Sequence, residues 1–397
     1  MSGPLTPEPT QTRGADMSDQ RLVDLLGRSG PWTCAYADGP GVLPQVEEEA
    51  LRRSVRERLA QAGAPPEDAE AIESALESRN GLPSPSARVV LARTGVVELD
   101  EGFIGARIGP ERMAHGPVPS ILPLLRHLSA TTRYLVVETS RDGADIRLET
   151  SGHGRSDDHT EIEGDTVDIT KVQAGGMAHA KYHRYAENVW KHNQDDVASA
   201  VSALIREQHP AFVAIAGDVR ARQLLGEALT DTERALVVEV DAHTRADGAD
   251  SAELDAALAD AIRERMSAAI GEVRDRAAVD SGSGGAEGIA DVVAALQQAR
   301  VETLLLDARM LDDERTLLAL DGPPWLAADE SERLGTTVLA TVSVAEALAR
   351  AAVLTDARVL IEEEETVADD APRDDRPVRE PVAALRWADD ADASDQA

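Results

Sequence analysis

Apolar positions recur along this chain at two spacings, and the switches between them mark its elements. Leu22, Leu25 and Leu26 fall at helical spacing behind Ser18, an N-cap residue, and Gly30-Pro31 ends that helix. Trp32 to Ala37 reads as a short strand. Val46, Leu51, Val55 and Leu59 lie near helical spacing and predict an amphipathic helix over 45–62, with a second over 66–79. Arg88 to Ala92 and Val96 to Asp100 read as strands joined by a turn at Thr94-Gly95. These elements predict an N-terminal α/β domain over 17–128, behind a Pro-, Thr- and Gly-rich tail at 1–16 that is expected to be disordered.

The pattern restarts with Tyr134 to Glu138, a turn at Arg141-Asp142-Gly143, and a returning strand from Asp145 to Thr150. A polar stretch from Gly152 to about Gly176 is expected as loop. Trp190, Val197, Val201, Leu204 and Ile205 then predict a long helix from about Ala180 to Gln208, broken by Pro210. Phe212 to Ala216 and Leu236 to Val240 read as strands separated by a helix over 219–228. A charged helix follows, from Ala252 to Arg276. Strands alternating with helices predict a sheet covered by helices, a middle domain over 129–280. After the break Ser281-Gly282-Ser283-Gly284-Gly285, a third α/β domain over 281–361 is expected. It comprises a helix at 286–299, strands at Val301–Asp307, Thr337–Val342 and Ala357–Ile361, and a helix at Val344–Val353. From Glu362 onward 13 acids face four arginines, and 362–397 reads as an acidic disordered tail.

Composition narrows the function classes. The 397 residues carry 73 acids and 40 bases, a formal charge of -33, which excludes a polyanion binder held by overall charge but not a local basic site. The single cysteine, Cys34, excludes an internal disulfide framework and a cysteine zinc cluster, and is read as a small buried apolar residue. No apolar run approaches the roughly 20 residues that span a bilayer. The first residues lack a basic start followed by an apolar stretch, so no signal peptide is expected and the predicted location is the cytoplasm.

The most informative stretch is Lys171 to His192. It holds Lys171, Lys181, Arg184 and Lys191 against Glu187 alone, a net of 4 − 1 = +3, plus His179, His183 and His192. Gly175 and Gly176 allow backbone to approach a ligand closely, and the basic turns that follow suit phosphates. The plain alternative is a solvated helix after an ordinary glycine turn. His179 and His183 stand i, i+4, but Ala180 replaces the glutamate of a zinc-protease helix and the basic neighbours oppose a cation. His153, Asp157, Asp158 and His159 read as a solvated loop. The glycines at 282–285 lack the Lys-Ser/Thr of a P-loop and read as a linker. No metal site, cofactor or G-x-S-x-G elbow is expected.

The run Gly175-Gly176-Met177-Ala178-His179-Ala180-Lys181-Tyr182-His183-Arg184-Tyr185 resembles the Gly-Gly-Gln loop and helix of archaeal and eukaryotic class-one release factors. Glu287-Gly288-Ile289 through Leu296, then Arg300 to Asp307, is similar to the helix-strand unit opening their C-terminal domain. With the start Gly30-Pro31-Trp32-Thr33-Cys34-Ala35-Tyr36-Ala37-Asp38, the chain over about 17–361 resembles the actinobacterial branch of the bacterial release-factor-like proteins, a group with Balon-type ribosome hibernation factors, and more distantly Pelota. The resemblance implies an α/β, three-domain architecture with an RNase-H-like middle domain and an α/β/α sandwich C-terminal domain. It implies a ligand of the ribosomal A site, without membrane or DNA partner. Gly175, Gly176, Met177, Lys171, His179, Lys181, His183, Arg184 and Lys191 would contact ribosomal RNA near the peptidyl-transferase centre. The C-terminal domain would face a translational GTPase, elongation factor Tu in the Balon-type case. One departure matters: Met177 stands where the family's catalytic glutamine is, and a thioether offers no amide to place water. Occupancy without hydrolysis is therefore expected. Peptidyl-tRNA hydrolysis in ribosome rescue is the alternative, with Gln173 or His179 positioning the water.

Overall fold

The computed structural model describes residues 19–28, 30–39, 45–78, 81–152, 159–163, 176–241, 252–279, 284–363 and 378–387. Two compact units result: one combines 1–129 with 270–397, and the other spans 130–269.

The N-terminal part of the first unit contains α1 (Asp19–Leu26), β1 (Trp32–Asp38), α2 (Gln45–Gln61), α3 (Pro66–Glu77), β2 (Ser86–Arg93), β3 (Val96–Ile104), β4 (Arg112–Gly116) and α4 (Leu122–Ser129). Its antiparallel sheet runs β3-β2-β1-β4. The hairpin turn is where the sequence puts it, with positive φ at Thr94 and Gly95. Alternation along β1 divides the two faces. Ala35 and Ala37 pack with Val55, Leu59 and Ile72 of α2 and α3. Trp32, Cys34 and Tyr36 point the other way, into a core shared with α1 and α4.

The second unit contains β5 (Arg133–Ser140), β6 (Gly143–Thr150), β7 (His159–Glu163), α5 (Gly176–Gln208), β8 (Val213–Gly217), α6 (Val219–Ala228), α7 (Asp231–Arg234) and β9 (Val237–Glu239). Most of α8 (Ala252–Val279) completes it. The sheet order β7-β6-β5-β8-β9 is antiparallel through its first three strands and parallel through β5, β8 and β9, the RNase-H-like arrangement. Leu135, Val137 and Ile215 meet Val197 and Val201 of α5 and Leu225 of α6 on one face. Tyr134, Val136, Phe212 and Ala214 meet Leu254, Leu258 and Ala261 of α8 on the other. The Tyr134 and Phe212 rings stack at 4.9 Å, covering area that the aromatic-poor sequence must otherwise fill with aliphatics.

The remainder of the first unit holds β10 (Gly285–Glu287), α9 (Ile289–Gln297), β11 (Val301–Asp307), β12 (Thr316–Leu320), β13 (Leu326–Ala327), β14 (Val338–Ser343), α10 (Val344–Leu354), β15 (Arg358–Glu362) and β16 (Val382–Leu385). Its main sheet runs β10-β16-β11-β15, and β13-β12-β14 form a small antiparallel sheet. Every residue of α10 from Val344 to Val353 is buried, the charged Glu346 and Arg350 included.

Three expectations change. Residues 362–397 were predicted to be tail, yet Val382 to Leu385 form a strand between β10 and β11, with Ala383, Ala384 and Leu385 buried. The charge count over the segment hid four consecutive residues that a sheet can use. The end domains, expected as separate bodies, share one core in which Leu22, Leu25 and Leu122 lie with Leu348 and Val353. Finally, the expected loop at 152–176 contains β7, and α5 starts at Gly176 rather than Ala180.

Candidate functional site

The candidate site lies at the start of α5 in the second unit. Lys171, Gln173 and Gly175 fall outside the described residues, as do the side chains of Met177, His179, Lys181, His183 and Arg184. The backbone from Gly176 through Arg184 is helical, so Gly176 and Met177 occupy the first turn of α5. Farther along, Tyr185 is 62% exposed and Lys191 is exposed, while the Glu187 carboxylate accepts from Arg220 Nη2 at 2.6 Å.

Where α5 reaches the sheet, its polar side chains turn inward. Gln194 is fully buried: its Oε1 accepts from Thr139 Oγ1 at 2.9 Å, and its Nε2 donates to the Ser140 carbonyl at 2.8 Å. The equally buried Asn193 donates from Nδ2 to the Arg141 carbonyl at 3.0 Å. These bonds fix the β5–β6 turn against α5. They satisfy amides and carbonyls that would otherwise cost about 1–3 kcal/mol each in the dry interior.

Across the turn stands the end of β8. Gly217 has a φ of +113°, and a Cβ there would lie 2.0 Å from the Thr139 carbonyl oxygen, so only glycine lets β8 close against β5 at this point. Asp218 caps α6, accepting from the N–H groups of Arg220 at 2.9 Å and Ala221 at 3.1 Å. It also pairs with Arg141 at 3.2 Å. Burial pushes the Asp218 carboxyl up, but these N–H donors and the Arg141 guanidinium outweigh it and hold it below its ordinary value. The Arg141 guanidinium lies over the Trp190 ring at 4.6 Å.

The carboxyl ends of the parallel pair β5 and β8 thus meet α5 and the start of α6, the edge at which open α/β sheets present ligand sites. The sequence reading missed Arg141, Asn193, Gln194 and Asp218. One signal was available: Asn193-Gln194 interrupts the apolar stripe between Trp190 and Val197, and a polar pair inside such a stripe has to find partners in the core. Among the described residues no group of His, Cys, Asp or Glu has the arrangement of a metal site. None of the described helices is long and apolar enough to cross a membrane.

Residues 133–283, which contain this whole arrangement, match the model of bacterial archaeo-eukaryotic release factor family 2. Over this segment the chain is similar to the release-factor-like family. The chain is 28% identical over 357 residues to the uncharacterized protein Rv2629 of Mycobacterium tuberculosis, covering 87% of the chain and 92% of the relative. Among solved structures it is similar to an archaeal translation termination factor, aRF1, at 17% identity, with 93% of this chain and 97% of that one covered and a TM-score of 0.23. It is also similar to Dom34 of S. cerevisiae, at 11% identity, 77% and 81% coverage and a TM-score of 0.38.

Proposed function

We propose that the chain is a ribosome-binding translation factor that occupies the A site during stress or dormancy without hydrolysing peptidyl-tRNA. The observation that carries the reading is Met177 behind Gly175-Gly176, inside the segment that matches the release-factor family model. The glycines keep the slender backbone that close approach needs, and the amide that would place water is gone. Lys171, Lys181, His183, Arg184 and Lys191 bring local cations to phosphate and sugar, which a body of charge -33 otherwise lacks. The C-terminal domain faces a translational GTPase, elongation factor Tu, in this reading.

Co-sedimentation with vacant ribosomes tests it. Wild type pellets with ribosomes, and the triple variant Lys181→Glu, Arg184→Glu, Lys191→Glu stays in the supernatant. Binding falls as salt rises, because phosphate contacts release counterions. Absence of wild-type protein from the pellet, even with elongation factor Tu and GDP, would refute the reading. Release of peptide from peptidyl-tRNA by the bound protein, abolished by His179→Ala, would replace occupancy with rescue hydrolysis.

A further inference from the structure

The Arg141 guanidinium does not hold the turn that carries it. The turn that carries it is held by Asn193 and Gln194 through main-chain carbonyls, not through the guanidinium. Asp218, its ion-pair partner, accepts from the N–H groups of Arg220 and Ala221 on Oδ1 and meets Arg141 through Oδ2. Yet the guanidinium is oriented from two sides. The guanidinium carbon lies over the Trp190 ring, 4.6 Å from its centroid, and the Asp218 carboxylate meets Nη2 at 3.2 Å. Half of the side chain, 51%, stays in solvent. A planar cation that is backed by an indole and held at its edge offers its other face to a flat π-system.

We propose that Arg141 on Trp190 is a stacking platform for one unpaired RNA base, a contact separate from the phosphate contacts of the basic island. Unstacked bases of single-stranded RNA are taken up on arginine planes and aromatic rings in this way, and stacking tolerates any base. A preorganised platform also fits an acidic protein, since stacking does not depend on a favourable overall charge. The inference rests on the ribosomal reading for its choice of RNA as ligand.

The test uses the full chain and an oligoadenylate of about 12 nucleotides, with an RNA duplex of the same length as the second probe. Trp190 emission is isolated as the difference between wild type and Trp190→Phe. The single strand should quench that emission, and the duplex should not. Arg141→Ala should weaken oligoadenylate binding about tenfold. Arg141→Lys keeps the charge and loses the plane, so it should weaken binding nearly as much while leaving the salt dependence unchanged. Thermal melts establish that both variants are folded, and the wild-type quench tests the proposal without any variant. Wild-type affinity in Arg141→Lys, unquenched Trp190 emission, or equal binding of the duplex would each overturn the platform. The two readings fail separately. A protein that pellets with ribosomes but does not bind oligoadenylate loses the platform and keeps the ribosome. One that binds oligoadenylate with the predicted quench but never pellets keeps the platform and loses the ribosome.

Discussion

Glu346 offers a quantitative test of how the two ends of the chain are joined. It sits in the first turn of α10, is fully buried, and reaches into the N-terminal part of the molecule. Its carboxylate accepts from the Ile121 N–H at 2.7 Å and from Ser120 Oγ at 3.3 Å, capping α4 from another domain. Burial pushes its carboxyl above the usual range, only partly offset by these donors and by Arg112. Glu346→Ala leaves the buried Ile121 N–H without this partner, at about 1–3 kcal/mol, and takes a longer bond from the half-buried Ser120 hydroxyl. Removing a desolvated charge returns part of that, for a net loss of about 1–3 kcal/mol. Glu346→Gln keeps an acceptor and drops the charge, so it should match or exceed wild type at pH 7. The sign of the pH dependence follows from the raised folded-state pKa. The contribution is fully present below the unfolded carboxyl value of about 4.3 and is lost as pH rises through the folded one. The advantage of the Gln variant should therefore be largest near pH 7 and shrink toward pH 4. Urea unfolding followed through Trp32, which is buried in the same core, measures it. An Ala variant within about 0.5 kcal/mol of wild type, or a Gln variant as weak as Ala, would show that Glu346 does not cap α4.

Other outcomes follow from the same geometry. Gly217→Ala should destabilise the second unit by about 4 kcal/mol or more, read as an early loss of Trp190 fluorescence on heating, because its Cβ collides with main chain. Gln194→Leu should cost about 1–3 kcal/mol in urea unfolding by removing the buried bonds from the Thr139 hydroxyl and to the Ser140 carbonyl. Asp218→Asn should lose stability against wild type at pH 7. The gap should close in acid as pH falls through the lowered folded-state pKa of Asp218. Cys34, whose thiol burial pushes up to about 12, should react with an aromatic disulfide reagent only when the protein unfolds.

Periodicity made the long elements legible. Leu22-Leu25-Leu26, the β5–β6 hairpin, α5, β8 and α10 all follow from spacing, apolar runs and turn residues. The elements that escaped are those whose stability is borrowed. The strand β4, Arg-Met-Ala-His-Gly, has little strand propensity and is held by its backbone pairing with β1. Only the sheet on both sides of it reveals β16. The candidate site was half legible. Its charge and glycines stand out in sequence, whereas Arg141, Asn193, Gln194 and Asp218 acquire meaning only when β5, β8 and α5 meet. No local pattern encodes that meeting.

The position of β16 also bears on the order in which the molecule can form. It is the last described strand in the chain, yet it is an inner strand, bonded to β10 on one side and β11 on the other. Until residues 382–385 are made, β11 has an unpaired edge and α9 and α10 cover an unfinished sheet. Unpaired edges invite wrong partners. Residues 130–269 form a compact unit of their own, which can fold while synthesis continues. The unit built from both ends must wait, with contacts spanning most of the chain, and its closure should be the slow phase of refolding.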